Sequence, residues 1–202
     1  MWPEAAIYIP WDIWVVSWIA AAVWANRTIG RPNLARELPY RILEFGGFGT
    51  LLVFFVDGRN GAIVNPSALG ILGERFWTLP TNIGWAMVGI ASLGLIFSWW
   101  ARIHLGRLWS GWITRKEDHR IIDTGPYRIV RHPIYTGILI AAFATAAVKG
   151  TGHAILGAAM LVAAYVLKAR AEERFLREEL GAEAYDSYRR RVPMLIPFAP
   201  AA

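Results

Sequence analysis

Residues 151–170 read TGHAILGAAMLVAAYVLKAR, and no charge interrupts the run before Lys168. No helical or strand period divides it into a wet face and a dry one. As an α-helix such a span covers about 25 Å, close to the apolar thickness of a bilayer. A soluble core helix would mix polar residues into the run, so this stretch sets the fold class: an all-α, polytopic helical membrane protein.

Working outward, this run centres on an apolar block at His153–Leu167, and four more precede it: Ala5–Ala25, Ile42–Val56, Ile83–Trp100 and Ile134–Val148. Together they predict five transmembrane helices and a single membrane domain over 1–202. Three spans fall in 1–100 and the functional core in 101–202. The second and fourth blocks are only about 15 residues, short for a spanning helix, so each thins the bilayer, extends into its flanks or is re-entrant. Lys149-Gly-Thr-Gly152 is a tight, Gly-rich connection that folds the last two blocks into an antiparallel hairpin. From Ala171 to Arg191 the chain reads as one amphipathic cytosolic helix, with Phe175, Leu176, Leu180, Ala184 and Tyr188 at helical spacing.

A net charge of +6 in a soluble chain would point to nucleic acid. The distribution of that charge points elsewhere. Arg27–Arg41, Arg102–Arg131 and the tail from Lys168 hold 4, 7 and 7 Lys/Arg, which is 18 of the 21, leaving Arg59, Arg75 and Lys149 on the other side. This is the asymmetry of an inner-membrane protein with its N-terminus outside and its C-terminus in the cytosol, and no nucleic-acid partner is expected. Trp85 and Trp99–Trp100 sit at opposite ends of the third block, where indole rings anchor at the two interfaces. The start, MWPEAAIY, is acidic, so a cleaved signal peptide is not expected. With no Cys, disulfides, thiolate metal sites and a cysteine nucleophile are excluded. The four His (His104, His119, His132, His153) lack zinc-motif spacing, and no protein-bound metal is expected.

The densest chemistry lies in Gly125-Pro-Tyr-Arg-Ile-Val-Arg-His-Pro-Ile-Tyr-Thr-Gly137 and in Arg170-Ala-Glu-Glu-Arg174. Pro126 and Pro133 shape the first into a loop ahead of the fourth block. Each cluster also has a plain reading, a loop that binds lipid headgroups and a solvated helix turn. The hairpin brings them together, however. Arg131 and His132 then lie beside Glu172 and Glu173, whose side chains point about 100° apart on a helix, so at most one of the two faces the bundle well. An acidic pair against a basic loop suits a zwitterion, its carboxylate on Arg and its ammonium on Glu.

The order and spacing of several blocks resemble one family. They are Arg102-Ile-His-Leu-Gly-Arg-Leu-Trp-Ser110, Asp118-His-Arg120, Gly125-Pro-Tyr-Arg128, Arg131-His-Pro-Ile-Tyr-Thr-Gly137, Glu172-Glu173, Gly181-Ala-Glu-Ala-Tyr185, Tyr188 and Arg191-Val-Pro193. The sequence resembles the isoprenylcysteine carboxyl methyltransferases and their bacterial relatives, which are similar to phospholipid methyltransferases. The resemblance covers about half the chain and leaves the first hundred residues unassigned. It implies a cytosol-facing site for S-adenosyl-L-methionine. Gly125, Pro126 and Tyr127 with Arg131, His132, Pro133 and Tyr135 would form one wall. Glu172 or Glu173 would take the cofactor's ammonium group, Tyr185 and Tyr188 would lie over it, and Gly137 would permit close approach.

The expected activity is methyl transfer to a carboxylate (prenylcysteine-like) or another lipophilic acceptor, a lipid-modified or small molecule reaching the site from the bilayer. A sulfonium methyl needs a nucleophile held in line at about 3–3.5 Å, and a carboxylate is ionised without a base. Arg102, Arg170 or Arg191 would orient that carboxylate. Lys168 lies about 200° around the helix from Arg170 and is expected to face elsewhere. A thiol or amine would need deprotonation by His132 or Glu173. Phospholipid N-methylation is an alternative, as are an NADPH-dependent reductase of the sterol-reductase type, which carries a similar Arg-His-Pro-x-Tyr-x-Gly element, and a non-catalytic membrane subunit.

Overall fold

The computed structural model describes residues 1–24, 28–30, 34–52, 66–110, 115–116 and 121–201. Arg27, Arg31, Arg59, Asp118, His119, Arg120 and the second apolar block beyond Leu52 lie outside the described residues. The helices are α1 (Pro3–Ala6), α2 (Tyr8–Ala21), α3 (Leu34–Leu52), α4 (Thr81–Leu105), α5 (Pro133–Lys149), α6 (Gly152–Leu180) and α7 (Ala182–Arg191). A short antiparallel pair, β1 (Thr28–Gly30) with β2 (Arg115–Lys116), joins the loop before α3 to the loop after α4.

Two stretches, Thr81–Leu108 and Gly152–Glu179, are long and apolar enough to cross a membrane, each with a mean hydropathy of 1.6. Helix α5 is apolar but shorter. By length and composition, then, two of the five expected spans qualify among the described residues. The outward-facing residues are large and apolar: Ile13, Val16 and Ile19 on α2, Leu93, Ile96 and Ile103 on α4, and Phe143 on α5 are all exposed. Alanines fill much of the interior, among them Ala91, Ala101, Ala141, Ala142, Ala158 and Ala164. Large outside and small inside is the pattern of helices that meet backbone to backbone in an apolar solvent.

The crossings show why. A Cβ on Gly94 of α4 would stand 2.6 Å from the Gly137 carbonyl oxygen of α5, and one on Gly137 would stand 2.8 Å from the Ser98 nitrogen. On the other side, a Cβ on Gly157 of α6 would stand 2.5 Å from the Leu51 nitrogen of α3. Pro133 opens α5, its fixed φ suiting the first helical position, and Gly150 closes it in the left-handed region at φ 61°. The α5–α6 hairpin therefore forms as expected, while each of its helices is clamped most closely to an outer partner, α5 to α4 and α6 to α3.

Two expectations need correction. The segment from Ala171 to Arg191 is not one surface helix. α6 continues the last apolar block unbroken to Leu180, and the chain turns at Gly181, whose φ of 97° few L side chains adopt, before α7 begins. Trp99 is not an interfacial anchor. Its indole N–H donates to Ser17 Oγ of α2 at 3.0 Å, and its ring meets the edge of Trp18, whereas Trp85 and Trp100 do face outward.

The Gly94–Gly137 crossing generates a contrast between two glycines of the paired helices α4 and α5. Gly137→Val should cost about 3 kcal/mol or more, because backbone rather than a flexible side chain stands in the way. Gly89→Ala on α4, where no atom lies within 4 Å of the new Cβ, should be neutral or gain up to ~1 kcal/mol in helix propensity. Thermal unfolding of the two variants in detergent checks the order.

Candidate functional site

The Pro-shaped loop is held from the tail. The Arg131 and His132 amides donate to the Pro193 and Met194 carbonyls at 2.8 and 3.1 Å, and the Thr136 hydroxyl donates to Leu195 O at 2.7 Å. The Arg131 side chain, 3% exposed, donates from Nε to Glu173 Oε1 at 2.7 Å and from Nη1 to Arg189 O at 2.9 Å. A second contact from Nη1 reaches Val192 O. One guanidinium thus joins the loop, α6, α7 and the tail. The two cytosolic ends of the hairpin do meet, but Arg131 is taken up by its own chain and not left for a ligand's carboxylate.

The paired carboxylates divide their work. Glu173 is buried and also meets His132 Nε2 at 3.1 Å. Glu172, about one hundred degrees away around α6, has a side chain 32% exposed and accepts the Tyr135 hydroxyl at 2.8 Å. The His132 ring stacks on Tyr135 at 5.3 Å, and Tyr135 stacks on Tyr165 of α6 at 4.8 Å, which makes a short aromatic ladder behind Glu172. Tyr188 of α7 donates to Tyr127 O at 2.7 Å. Burial raises the phenol pKa values of Tyr185 and Tyr188, the carboxylates of α6 adding to it at Tyr185, so both stay protonated near neutral pH.

These groups face a cavity of about 480 Å³. Tyr127, Arg131, His132, Pro133, Tyr135, Glu172, Tyr185 and Tyr188 line it, and so do Phe175 and Leu176. Four expected wall residues stand behind the lining. Gly125, at φ 57°, packs on the His104 imidazole, where a Cβ would fall 2.7 Å from the ring; Pro126 is fully buried beside it. Gly137 faces Gly94 and Ser98 of α4, so the absent side chain serves the helix crossing and not a ligand. Glu173 is the partner of Arg131.

The three arginines expected to orient a nucleophile do not line the cavity. Arg102 is buried and donates to Ala21 O and Gly106 O, both at 2.8 Å, with its guanidinium 4.2 Å from the Trp109 ring centre. It ties the end of α4 to the end of α2. Arg191, 62% exposed, reaches Asp123 at 3.4 Å. Arg170 is exposed on the outer face of α6. The opposite face carries Lys168, which is buried, lines the cavity and pairs with Glu44 of α3 at 3.1 Å. Lys168 and Arg170 do lie on opposite faces of α6, but Lys168, not Arg170, is the one that faces inward.

Much of the apolar lining comes from the first hundred residues. Trp14 and Trp18 of α2 and Phe45 and Phe48 of α3 form an apolar wall that Leu105, Leu108 and Trp109 continue. Arg41 and Glu44 border it. The sequence carried a signal for this: Glu37, Arg41 and Glu44 fall at spacings of four and three, on one face of a helix that is mostly apolar beyond Arg36.

Residues 87–178 match the isoprenylcysteine carboxyl methyltransferase family. Methanethiol S-methyltransferase 2 of Bradyrhizobium diazoefficiens is 50% identical over 72 residues, 35% of this chain and 26% of that protein. Methanethiol S-methyltransferase of a Pseudomonas strain is 33% identical over 137 residues, covering 67% of this chain and 48% of that one. Protein-S-isoprenylcysteine O-methyltransferase B of Arabidopsis thaliana is 31% identical over 130 residues, 63% of each chain. The chain therefore spans a quarter to under two-thirds of the length of these relatives. Through residues 87–178 it belongs to the isoprenylcysteine carboxyl methyltransferase family.

The division of labour on α6 is testable by stability alone. Glu173→Ala strands the Arg131 charge in a buried place and should cost about 3–5 kcal/mol. Glu172→Ala removes a half-open carboxylate and should cost under about 1 kcal/mol. Unfolding midpoints of the two variants, measured in one detergent, decide it.

Proposed function

We propose that this member of the isoprenylcysteine carboxyl methyltransferase family is a membrane methyltransferase that uses S-adenosyl-L-methionine and acts on a lipophilic acceptor. The observation that carries the reading is one cavity whose lining has two unlike parts. In one, Glu172 is presented on an aromatic ladder; in the other, α2 and α3 supply an apolar wall.

The residues present fit the cofactor. Its volume suits a cavity of about 480 Å³, within the usual range for a site that encloses a small molecule. Glu172 is an accessible carboxylate for the ammonium group, oriented by the Tyr135 hydroxyl. The faces of Tyr135 and His132, with Tyr127, Tyr185 and Tyr188, supply aromatic surface for an adenine ring and for a positive charge. When bound, S-adenosyl-L-methionine supplies an electrophilic methyl group. The chain's own task is positioning. Trp14, Trp18, Phe45 and Phe48 hold the acceptor's apolar body and keep water out, so an ionised or deprotonated head group meets the methyl carbon poorly solvated. The acceptors in the relatives' names, methanethiol and isoprenylcysteine, are small or apolar and suit such a wall. A carboxylate acceptor of the prenylcysteine kind is the first choice.

In this reading the protein is a five-span inner-membrane protein with the polar end of the cavity at the cytosolic face, N-terminus outside and C-terminus inside. The grouping of 18 of 21 cationic residues on one side supports it.

S-adenosylhomocysteine should raise the unfolding temperature of the purified protein, and NADPH should not. Glu172→Gln should weaken S-adenosylhomocysteine binding about ten- to a hundred-fold, the loss of one charge-assisted contact of roughly 1.5–3 kcal/mol. Arg170→Gln should leave it unchanged. A reporter fused after Ala202 should be active in the cytosol. Stabilisation by NADPH alone would replace the reading with a reductase.

A further inference from the structure

One ion pair on the cavity wall has no task in this account. Lys168 Nζ donates to both carboxylate oxygens of Glu44, at 3.1 and 3.2 Å, and the two side chains are only 8% and 14% exposed. The ammonium lies 5.3 Å from the Tyr135 ring centre, 5.8 Å from Tyr165 and 5.9 Å from Tyr40. Both partners line the cavity, and Phe45 and Phe48 are neighbours of Glu44 on α3. Tyr135 connects the two ends: its hydroxyl holds Glu172 while its face lies toward Lys168.

A desolvated ion pair is a poor device for stability, since a well-packed apolar pair of similar volume does as well or better. Ionisable groups among apolar helices mark binding or proton paths. This pair stands where the apolar wall gives way to the polar end, the place at which the head of an apolar ligand arrives.

We propose that Glu44 and Lys168 form the head-group subsite for the methyl acceptor, and that this acceptor is an apolar weak acid, a thiol or a carboxylic acid. The proposal deepens the methyltransferase reading and rests on it for the word acceptor. The acid enters neutral along Phe45 and Phe48. Its S–H or O–H proton passes to a carboxylate oxygen of Glu44, and the electron pair of that bond stays on the acceptor's sulfur or oxygen. The anion then faces the Lys168 ammonium in place of Glu44, which is now neutral. Lys168 exchanges one anion for another, and the net charge of the buried region is unchanged. No lone charge crosses the apolar wall, which is the costly step such an exchange avoids.

The test uses the full chain in lipid nanodiscs and binding rather than turnover. The probes are octanethiol and octanoic acid, each compared with its methylated counterpart, methyl octyl sulfide and methyl octanoate. The parent should prefer at least one free acid over its methylated form by about ten-fold or more, the worth of a charge-assisted contact. Lys168→Met, which removes the cation that receives the anion, should bring that ratio to near one for either acid. Glu44→Gln, which removes only the proton acceptor, should do so for octanethiol, while octanoate, already ionised, keeps its preference for the Lys168 ammonium. Affinity for the methylated probes should stay within about two-fold in both, as expected when only the head-group contact changes. The acid that shows the preference identifies the acceptor as thiol or carboxyl.

Calorimetry in buffers of different ionisation enthalpy adds a proton count. Octanoate, ionised at neutral pH, should take up one proton on binding to the parent and none on binding to Glu44→Gln; octanethiol should release none to the buffer from the parent. Should a single variant fail to fold, Glu44→Gln/Lys168→Met leaves no unpaired charge and carries the same comparison. A parental acid preference in Lys168→Met, a parental octanethiol preference in Glu44→Gln, or a parent without any preference overturns the subsite. S-adenosylhomocysteine binding is measured on the same samples, so a failed cofactor reading with the acid preference intact is told apart from a failed subsite.

Discussion

Everything on the polar side of the cavity hangs on one buried guanidinium. Arg131 has exchanged water for the Glu173 carboxylate and the carbonyls of Arg189 and Val192, and these acceptors belong to three different parts of the chain. Taking a charge out of water is tolerable only when its donors are met by good acceptors, so the arrangement tolerates little slack. Once Arg131 is fixed, His132 must sit against Glu173, its ring must stack on Tyr135, and Tyr135 must offer its hydroxyl to Glu172. Glu172, which opens on the cavity, is thus positioned through a relay of Arg131, Glu173, His132 and Tyr135.

The same principle separates residues that look equivalent in a sequence. Arg102, Arg131 and Arg191 all stand in or beside the family's blocks. The first closes a helix end over Trp109, the second builds the site, and the third makes an exposed pair with Asp123. Glu172 and Glu173 are neighbours with opposite duties because a helix turns about 100° per residue.

Much of this was legible in advance, and the reasons for the rest are physical. The 151–170 run, the Gly-rich turn at Lys149–Gly152 and the prolines at 126 and 133 are local signals, and the hairpin they predict is present. That it joins the Arg131 loop to Glu172–Glu173 followed from connectivity alone. What pattern could not supply was rotation. Lys168 and Arg170 lie on opposite faces of one helix, and only the packing of α3 against α6, set by Gly157 against Leu51, decides which face is inward. Gly137 misled for a related reason: a missing side chain signals close approach without saying to what, and here it is α4. The contribution of α2 and α3 lay in long-range contacts of residues that carry no motif, with Glu37, Arg41 and Glu44 as the one local trace.

The hydrogen bonds between the Arg131–His132 loop and residues 189–195 have a bearing on the order of assembly. A chain is made from its N-terminus, so Arg131 and the hairpin that follows it are synthesised well before Arg189, Val192, Pro193 and Met194. For that interval the guanidinium lacks both of its carbonyl acceptors, and the Arg131 and His132 amides lack theirs. The helices above it meet through Gly94–Gly137 and Gly157–Leu51, contacts that need nothing from the tail. Packing of the helices and completion of the polar end of the cavity therefore rest on separate sets of contacts. The polar side of the cavity is completed only after the hairpin that carries it, by a tail segment with almost no secondary structure of its own.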